Sequence, residues 1–481
     1  MAVAMMTTVV LLFVVGVFDS TPHGVVHASM QGGAVPASTA PQSLQQSGQQ
    51  QQQQAASTGQ AAAVGPGLVE LTKLRAYAAA LDEELIANAA PGATYVGGSK
   101  GQEMRNPCWR DPTSKALSCV PGAYIMGTFH AGATSLAAKL SRHPQVLLDQ
   151  MSHSQFWAED GKKMADFVDG FSAAAKEIDD GAKSKLILEV SQSTLAFYLA
   201  SGAKAHRHFS AVIGPCFRNC SENSAAHSHT QDGEENIDME TCMGTMCYPA
   251  AREADMKVAT DHGYDYVRDQ NNPTLMRAVY GNTLPRLVVV LRNPVARIHS
   301  AFFGYPHYYE KHGRHQAGFL AYVKEQVAGF RACEAGGHSS DECALLFETF
   351  GPTQEKVYFH CDQLLRGMYT VWMEGWLRAF PREVIHVVHA EDLFTKTQDT
   401  VNGIIAFLGL EPFDTAGWEA AKFAGPTRSY AADQAMLPEA NQILADFYRP
   451  FNDRLAALLE DERVKEWNTR KAPASMRTRL S

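Results

Sequence analysis

The chain has 481 residues, 45% of them hydrophobic and 19% charged, enough to bury one large core or two modest ones and too apolar to be disordered throughout. Its 42 basic and 51 acidic residues leave a formal charge of −9, the opposite of the balance expected of a nucleic-acid binder. A polyanionic partner would have to meet basic residues gathered locally, because the net field repels it.

Ala2 to Phe18 carry no charge and read AVAMMTTVVLLFVVGVF before Asp19 ends the run, and Val26-His27-Ala28 ahead of Ser29 is an acceptable cleavage site. Residues 1–28 therefore read as a signal peptide or a signal anchor. Both predict entry into the secretory pathway, with membrane contact only through this N-terminal segment. Residues 29–66 are dominated by Gln, Ala, Ser and Gly, including the unbroken Gln49 to Gln54. So little apolar surface cannot offset the entropy of folding, which predicts a disordered stem. Leu71, Leu74, Ala78, Leu81 and Leu85 then recur at helical spacing among charges, predicting an amphipathic stem helix within 67–105. Such a helix either packs on the rest of the chain or pairs with a copy of itself in a homodimer.

The globular part is expected over 106–481. Tyr124, Ile125 and Met126 meet Gly127, a loop with Gly132 and Thr134 follows, and Leu136 and Leu140 repeat at helical spacing. This is a strand, a tight turn and a helix N-terminus, whose unpaired N–H groups and dipole favour a phosphate or sulfate group. The loop lacks the Gly-Lys-Ser/Thr ending of a Walker loop, and taken alone such a turn is equally ordinary α/β architecture. Next come Leu147 to Trp157, an exposed helical stretch, and a buried strand at Leu186-Ile187-Leu188. Residues from about 203 to 261 are rich in Cys, His, Ser, Asn and acids with poor periodicity, and read as a disulfide-held insertion. Within it Asn219-Cys220-Ser221 has the form of a glycosylation acceptor.

The β-branched run Leu287-Val288-Val289-Val290-Leu291 is typical of a strand covered on both faces of a parallel sheet. Arg292-Asn293-Pro294 closes it, and a helix follows that carries Arg297 and Ser300. A final unit has a helix at Gly367 to Phe380, a strand at Val384 to Val388 and a helix at Thr397 to Leu408 ending at Gly409. Alternating strands and helices predict a doubly wound α/β fold with its ligand at the carboxyl ends of the strands.

Of nine cysteines, Cys108 lies close to Cys119 and Cys333 to Cys343, while Cys216, Cys220, Cys242 and Cys247 crowd the insertion. Zinc competes with disulfides for the last four. Their C-x3-C and C-x4-C spacings are not the C-x2-C knuckles of four-cysteine zinc sites, and with a secretory leader they read as disulfides. Cys361 is then the odd thiol.

Three segments together resemble the lumenal carbohydrate sulfotransferases. Gly127 to Pro144 is similar to that family's 5′-phosphosulfate loop and helix. Leu291-Arg292-Asn293-Pro294 with Arg297 and Ser300 resembles its 3′-phosphate motif. Arg366-Gly367-Met368-Tyr369 through Trp376-Leu377, Phe380-Pro381-Arg382-Glu383 and Glu391-Asp392-Leu393 to Phe407-Leu408-Gly409-Leu410 follow in matching order across most of 106–462. Asn106-Pro107-Cys108-Trp109 with Cys119, the Cys333/Cys343 pair, and Met436-Leu437-Pro438-Glu439 leading to Phe447-Tyr448-Arg449-Pro450-Phe451-Asn452 bring it nearest the N-acetylgalactosamine 4-sulfate 6-O-sulfotransferase group. The resemblance implies a P-loop-like sulfotransferase sheet and the donor 3′-phosphoadenosine 5′-phosphosulfate (PAPS) as co-substrate, with no metal. It also implies a hydroxyl acceptor on a glycan, itself sulfated or not, and a Golgi-lumenal location.

In-line transfer of a sulfuryl group requires two phosphates to be held, charge on the leaving oxygen to be neutralised and a proton to be taken from the acceptor. On the resemblance, the backbone of Thr128, Phe129, His130, Ala131, Gly132, Ala133 and Thr134, with the Thr134 and Ser135 hydroxyls, cradles the phosphosulfate. Arg292 forks onto the 3′-phosphate with Ser300 as a second donor, and Arg428 stands where some relatives close a basic loop on the nucleotide. Two departures bear on catalysis. His130 replaces the lysine that stabilises the leaving group, and Ala133 replaces the first of two threonines. A histidine brings positive charge only when protonated, with an ordinary pKa of about 6.5. His153 occupies the position of the family's carboxylate base, an exchange also found in cytosolic sulfotransferases, and is read either as the general base or as a solvated loop histidine. In Leu188-Glu189-Val190-Ser191-Gln192-Ser193-Thr194, similar to the family's post-strand loop, Glu189 is the reserve base and Ser191 a donor contact. The competing functions are a catalytically impaired PAPS- or glycan-binding protein of the same fold, and a P-loop or adenylylsulfate kinase, against which the missing Walker lysine and the leader both stand.

Overall fold

The computed structural model describes residues 68–87, 105–110, 114–148, 155–198, 202–227, 238–358, 362–414, 417–418 and 432–469. In chain order they hold helix α1 (Leu68–Leu81), the ribbon strands β1 (Cys108–Arg110) and β2 (Leu117–Cys119), strand β3 (Ala123–Gly127), helix α2 (Ala133–Leu140), and strands β4 (Val146–Leu148) and β5 (Leu186–Ser191). Helices α3 (Arg207–His227), α4 (Tyr248–His262) and α5 (Asn272–Tyr280) precede β6 (Arg286–Leu291) and α6 (Pro294–Phe302). The chain ends with α7 (Tyr369–Ala379), β7 (Ile385–His389), α8 (Thr397–Phe407) and α9 (Pro438–Leu459), with shorter helices between.

Five strands form one parallel sheet in the order β4-β5-β3-β6-β7. The run Leu287–Leu291 has no polar side chain to hydrate, and every residue of it is fully buried. Alternate residues face opposite layers. Tyr124, Met126, Leu287 and Val289 join the larger core on one face, while Ile125, Val288 and Val290 pack on the other against Leu136 and Leu140 of α2 and Ile404 and Ile405 of α8. Helices thus cover both faces, as a doubly wound fold requires. The chain leaves β3 toward β4 and returns on the other side to β6, so the strand order reverses beside β3. That crevice at the carboxyl ends is where open α/β sheets hold ligands.

Helix α1 uses its apolar face within the chain: Leu71, Tyr77, Ala78 and Leu81 are buried. Tyr77 donates to the Gln270 side chain at 3.2 Å, Arg75 to the Ala278 carbonyl of α5 at 3.1 Å, and Arg207 meets Asp82 at 2.7 Å. Of the two outcomes expected for this helix, packing on the rest of the chain is the one seen, its apolar face covering α4 and α5.

The insertion is more regular than its sequence predicts. Residues 207–227 and 239–262 are nearly all helical, the second stretch passing through a π-helical turn at Met243–Cys247. Pro215 and the scattered polar residues hide the periodicity, and Cys216–Cys247 and Cys220–Cys242 disulfides tie the two helical stretches together. Cys108–Cys119 and Cys333–Cys343 are likewise bonded, so the four insertion cysteines form disulfides rather than a zinc knuckle, while Cys361 lies outside the described residues. Strand β5 also runs further than expected, through Ser191. Glu189 is therefore a strand residue, fully buried and in register with Tyr124, not part of a following loop. The leader, residues 1–28, and the Gln-rich stem lie outside the described residues. Among those described, no helix is long and apolar enough to cross a membrane.

Candidate active site

Gly127 ends β3 opposite Val290 of β6, so the loop that follows β3 and the residues that follow β6 leave the sheet side by side. A Cβ on Gly127 would lie 3.2 Å from the Ala133 Cβ and 3.3 Å from the Val290 carbonyl oxygen, which explains the glycine. It also accounts for Ala133, whose methyl is buried against the back of the turn, so that this residue offers the concave side only its backbone. The loop then turns tightly: Ala131 N–H donates to the Thr128 carbonyl at 3.0 Å, His130 has φ of 67° and Gly132 has φ of 109°. Left-handed backbone at two of three successive residues is the kind of strain that persists at binding sites. A Cβ on Gly132 would meet no atom within 4 Å, so the glycine borders open space at the N-terminus of α2. Helix α2 supplies first-turn N–H groups without intrahelical partners, and a four-residue spacing of buried Ala133, Leu136, Ala137 and Leu140 seats it on the sheet.

The second wall comes from β6 and α6. Arg292 Nη1 donates to the His130 carbonyl oxygen at 2.8 Å, and Ser300 Oγ lies 2.9 Å from His130 Nδ1. Asn293 caps α6, its Oδ1 accepting from Val295 N at 3.0 Å, while its own N–H donates to Glu391 at 3.0 Å. Tyr369 OH donates to the Arg292 carbonyl at 2.7 Å, and burial pushes that hydroxyl's pKa up, keeping it a donor. Behind the loop, fully buried Arg297 donates to the Phe129 carbonyl at 3.2 Å and to the Gln363 side chain at 2.7 Å, and also reaches the Gln363 backbone carbonyl. Tyr305 stands edge-on to the His130 ring with centroids 5.2 Å apart, and the Arg366 guanidinium lies 4.8 Å from the centre of the Phe129 ring. On the far side of the loop the Gln192 amide donates to Thr134 Oγ1, and Ser191 and Ser193 hydroxyls are 3.4 Å apart.

Of the residues singled out in the sequence, the loop 128–135, Arg292 and Ser300 are thus brought into one cluster. Glu189 sits inside the sheet, and His153 and Arg428 lie outside the described residues. Of the groups that set the loop's shape from behind, Gln363 and Tyr305 carry no local sign of that duty. Arg297, Arg366 and Tyr369 stood within motifs, but only their contacts reveal that they hold the loop.

Residues 213–417 match the family model described as the sulfotransferase domain. This stretch of the chain is similar to a sulfotransferase domain. The matched span contains Arg292 and Ser300 and begins after the Thr128–Ser135 loop. The chain is similar to human carbohydrate sulfotransferase 15, 24% identical over 375 residues that cover 73% of this chain and 55% of that protein, and the rat protein of the same name gives the same identity and coverage. The chain therefore spans about half the length of the curated relatives it matches. A squid protein of that name, from Nototodarus sloanii, is 29% identical over 94 residues, covering 18% of this chain and 58% of its own. Among solved structures, a sulfotransferase from Alicyclobacillus acidocaldarius aligns with a TM-score of 0.36 at 16% identity, over 73% of this chain and 99% of that one.

The concave face of the Thr128–Ser135 loop fits an anionic donor. It has first-turn N–H groups, open space beside Gly132 and an arginine and a serine at one end.

Proposed function

We propose that this chain transfers a sulfuryl group from PAPS to a hydroxyl of a glycan, an N-acetylgalactosamine-containing polysaccharide being the leading acceptor. The observation that carries the reading is the hydrogen bond from Arg292 to the His130 carbonyl, because it joins a phosphosulfate-type loop to a phosphate-type arginine at the switch point of the sheet.

PAPS supplies the activated sulfuryl group. The N–H groups of Gly132, Ala133, Thr134 and Ser135 bind the phosphosulfate end, with the Thr134 and Ser135 hydroxyls adding donors. Arg292 and Ser300 bind the 3′-phosphate, where a guanidinium fork matches phosphate geometry. His130 would meet charge developing on the leaving oxygen when its ring carries a proton. Acceptor deprotonation falls to His153, on the segment just before Gln155. Glu189 is the poorer candidate base, since a carboxylate inside the sheet does not reach an incoming sugar. Arg428 contributes a further positive charge to the nucleotide. Residues 1–28 would deliver the domain to the Golgi lumen, anchored or released, where the four disulfides persist.

Purified full chain incubated with PAPS carrying radiolabelled sulfate and a panel of galactosamine-containing glycans should label at least one acceptor. Tight binding of adenosine 3′,5′-bisphosphate without transfer to any of them would instead mark a nucleotide-binding protein that has lost its chemistry.

A further inference from the structure

Helix α1 ends at Leu81, and Asp82 directly after it is 5% exposed although its side chain is a carboxylate. Two cations from the chain after β5 meet it. Arg207 Nη1 lies 2.7 Å from its Oδ1, and Lys204 Nζ lies 3.5 Å from its Oδ2. Lys204 is 1% exposed, and a buried ammonium is costly unless a carboxylate and hydrogen bonds replace its water. Burial pulls its pKa down, and Asp82 is the foremost charge acting against that pull. The other contacts of the ammonium show what it holds. It donates to the Lys162 carbonyl at 2.6 Å and lies 4.5 Å from the centre of the Phe156 ring.

These contacts fall on one segment, residues 155–163, which contains no helix or strand of its own and so takes its course from its neighbours. Lys204 N–H donates to the Ala158 carbonyl at 3.2 Å, Asp160 N–H donates to the Gly202 carbonyl at 2.6 Å, and Arg207 Nε lies 2.8 Å from the Asp160 carboxylate. The segment in turn reaches the site. Trp157 Nε1 donates to the Tyr124 hydroxyl of β3 at 3.3 Å. Gln155, Ala158 and Glu159 line a cavity of about 160 Å³ together with Arg366, whose guanidinium lies against Phe129 of the donor loop. Gln155 has φ of 51°, a conformation that persists only where the surroundings enforce it, and it follows directly on the stretch that carries His153.

We propose that Asp82 and Lys204 are positioning residues for sulfuryl transfer: the end of α1 holds Lys204, and Lys204 holds residues 155–163 beside the donor loop, where the proposed base enters. This rests on the sulfotransferase reading and makes α1 part of the working enzyme rather than a spacer ahead of it.

The test uses the full chain carrying Asp82→Asn and Lys204→Met together. Removing both charges strands neither, so the unfolding midpoint should stay near that of the parent chain. The Lys162 and Phe156 contacts of the ammonium are lost all the same. Backbone amide exchange should therefore speed up in 155–163 and not in β3 or α2. At saturating PAPS, transfer of radiolabelled sulfate to the galactosamine-containing glycans should fall about tenfold or more, since small displacements of reacting groups cost that much. The dissociation constant of adenosine 3′,5′-bisphosphate should not change, because the donor loop and Arg292 are untouched. Asp82→Asn alone should give the same local exchange with a lower midpoint, because Lys204 is then buried without its carboxylate. That single variant decides by the same readings should the double variant not fold. Parent-like exchange in 155–163, parent-like transfer, or a loss of transfer that only tracks a loss of bisphosphate binding overturns the proposal. Failure of the sulfotransferase reading looks different: the parent chain itself transfers no sulfate, whatever the exchange of 155–163 shows.

Discussion

The guanidinium of Arg292 and the carbonyl oxygen of His130 are joined at 2.8 Å across 162 residues of sequence. One side chain thereby fixes both the position of the loop after β3 and its own position at the end of β6. The register that sets Gly127 beside Val290 makes the contact unavoidable once β3 and β6 are neighbours. Arg292→Ala should cost adenosine 3′,5′-bisphosphate binding about 2–5 kcal/mol, since it removes a charged partner of the phosphate and a tether of the loop together. Calorimetry reads this directly. Arg292→Lys should recover only part of the loss, because an ammonium cannot fork. Unchanged affinity in the alanine variant would remove the arginine from the nucleotide site.

Arg297 does not face the concave side of the loop, yet it should matter to binding. Arg297→Met leaves the Phe129 carbonyl and both Gln363 acceptors without their donor, at about 1–3 kcal/mol for each buried group left unsatisfied. The expected result is a lower unfolding midpoint and weaker nucleotide binding together. Gln363→Leu should reproduce the loss of stability, as it strands the arginine instead. A variant with normal stability and normal affinity would show that the loop holds its shape by other means.

His130 takes the place of a lysine and sits against Ser300 and Tyr305. If its role is to meet charge on the leaving oxygen, His130→Lys should raise turnover at neutral pH, where lysine carries its charge permanently, and His130→Ala should lower it. Both variants should keep most of their bisphosphate affinity, because the loop binds mainly through backbone N–H groups. The measurement is kcat beside the dissociation constant. A lysine variant that binds normally and turns over no faster would separate His130 from the leaving group.

The parts of this site legible in the sequence were those built from short local patterns. An apolar run, a glycine and a helical repeat revealed β3, its loop and α2. Five consecutive apolar residues followed by Arg292-Asn293-Pro294 revealed β6 and the start of α6. The insertion helices were obscured because their support comes from cross-links and from packing beneath α1, and such contacts leave no 3.6-residue stripe. Glu189 looked like the end of a strand because a carboxylate is costly to bury, but Val190 and Ser191 continue the ladder and carry it inside. Gln363 and Tyr369 act on Arg297 and Arg292 from 66 and 77 residues away, and no local spacing encodes a contact of that reach.

The insertion's cysteines allow a chemical test of the fold. Peptide mapping under non-reducing, acid-quenched conditions should recover Cys216–Cys247 and Cys220–Cys242. Rapid quenching matters because the Cys220 and Cys247 sulfurs lie 3.4 Å apart, within reach of exchange once either bridge is reduced. Replacing Cys220 and Cys242 together by alanine should cost about 3 kcal/mol, the usual effect of opening a loop of this size. A different pairing, or release of zinc from the purified chain, would contradict the connectivity described above.

His299 should make the fold sensitive to acid. It is fully buried on α6 with Nε2 donating to the Gln434 carbonyl at 2.9 Å. Burial pushes its imidazole down to about 4, against the pull of that hydrogen bond and with added repulsion from the Arg292 charge. An unfolded chain's histidine titrates near about 6.5. Between those values the unfolded state takes up a proton that the folded state refuses, so the contribution to stability is complete above about pH 6.5 and is lost as pH falls toward 4. For this one group the loss between pH 7.5 and 5.0 is about 2 kcal/mol. His299→Gln keeps a donor for the Gln434 carbonyl and cannot titrate. Urea unfolding at the two pH values should show the variant losing about 2 kcal/mol less than the parent chain. An equal loss in both proteins would mean that His299 is protonated as readily in the folded state as in the unfolded one.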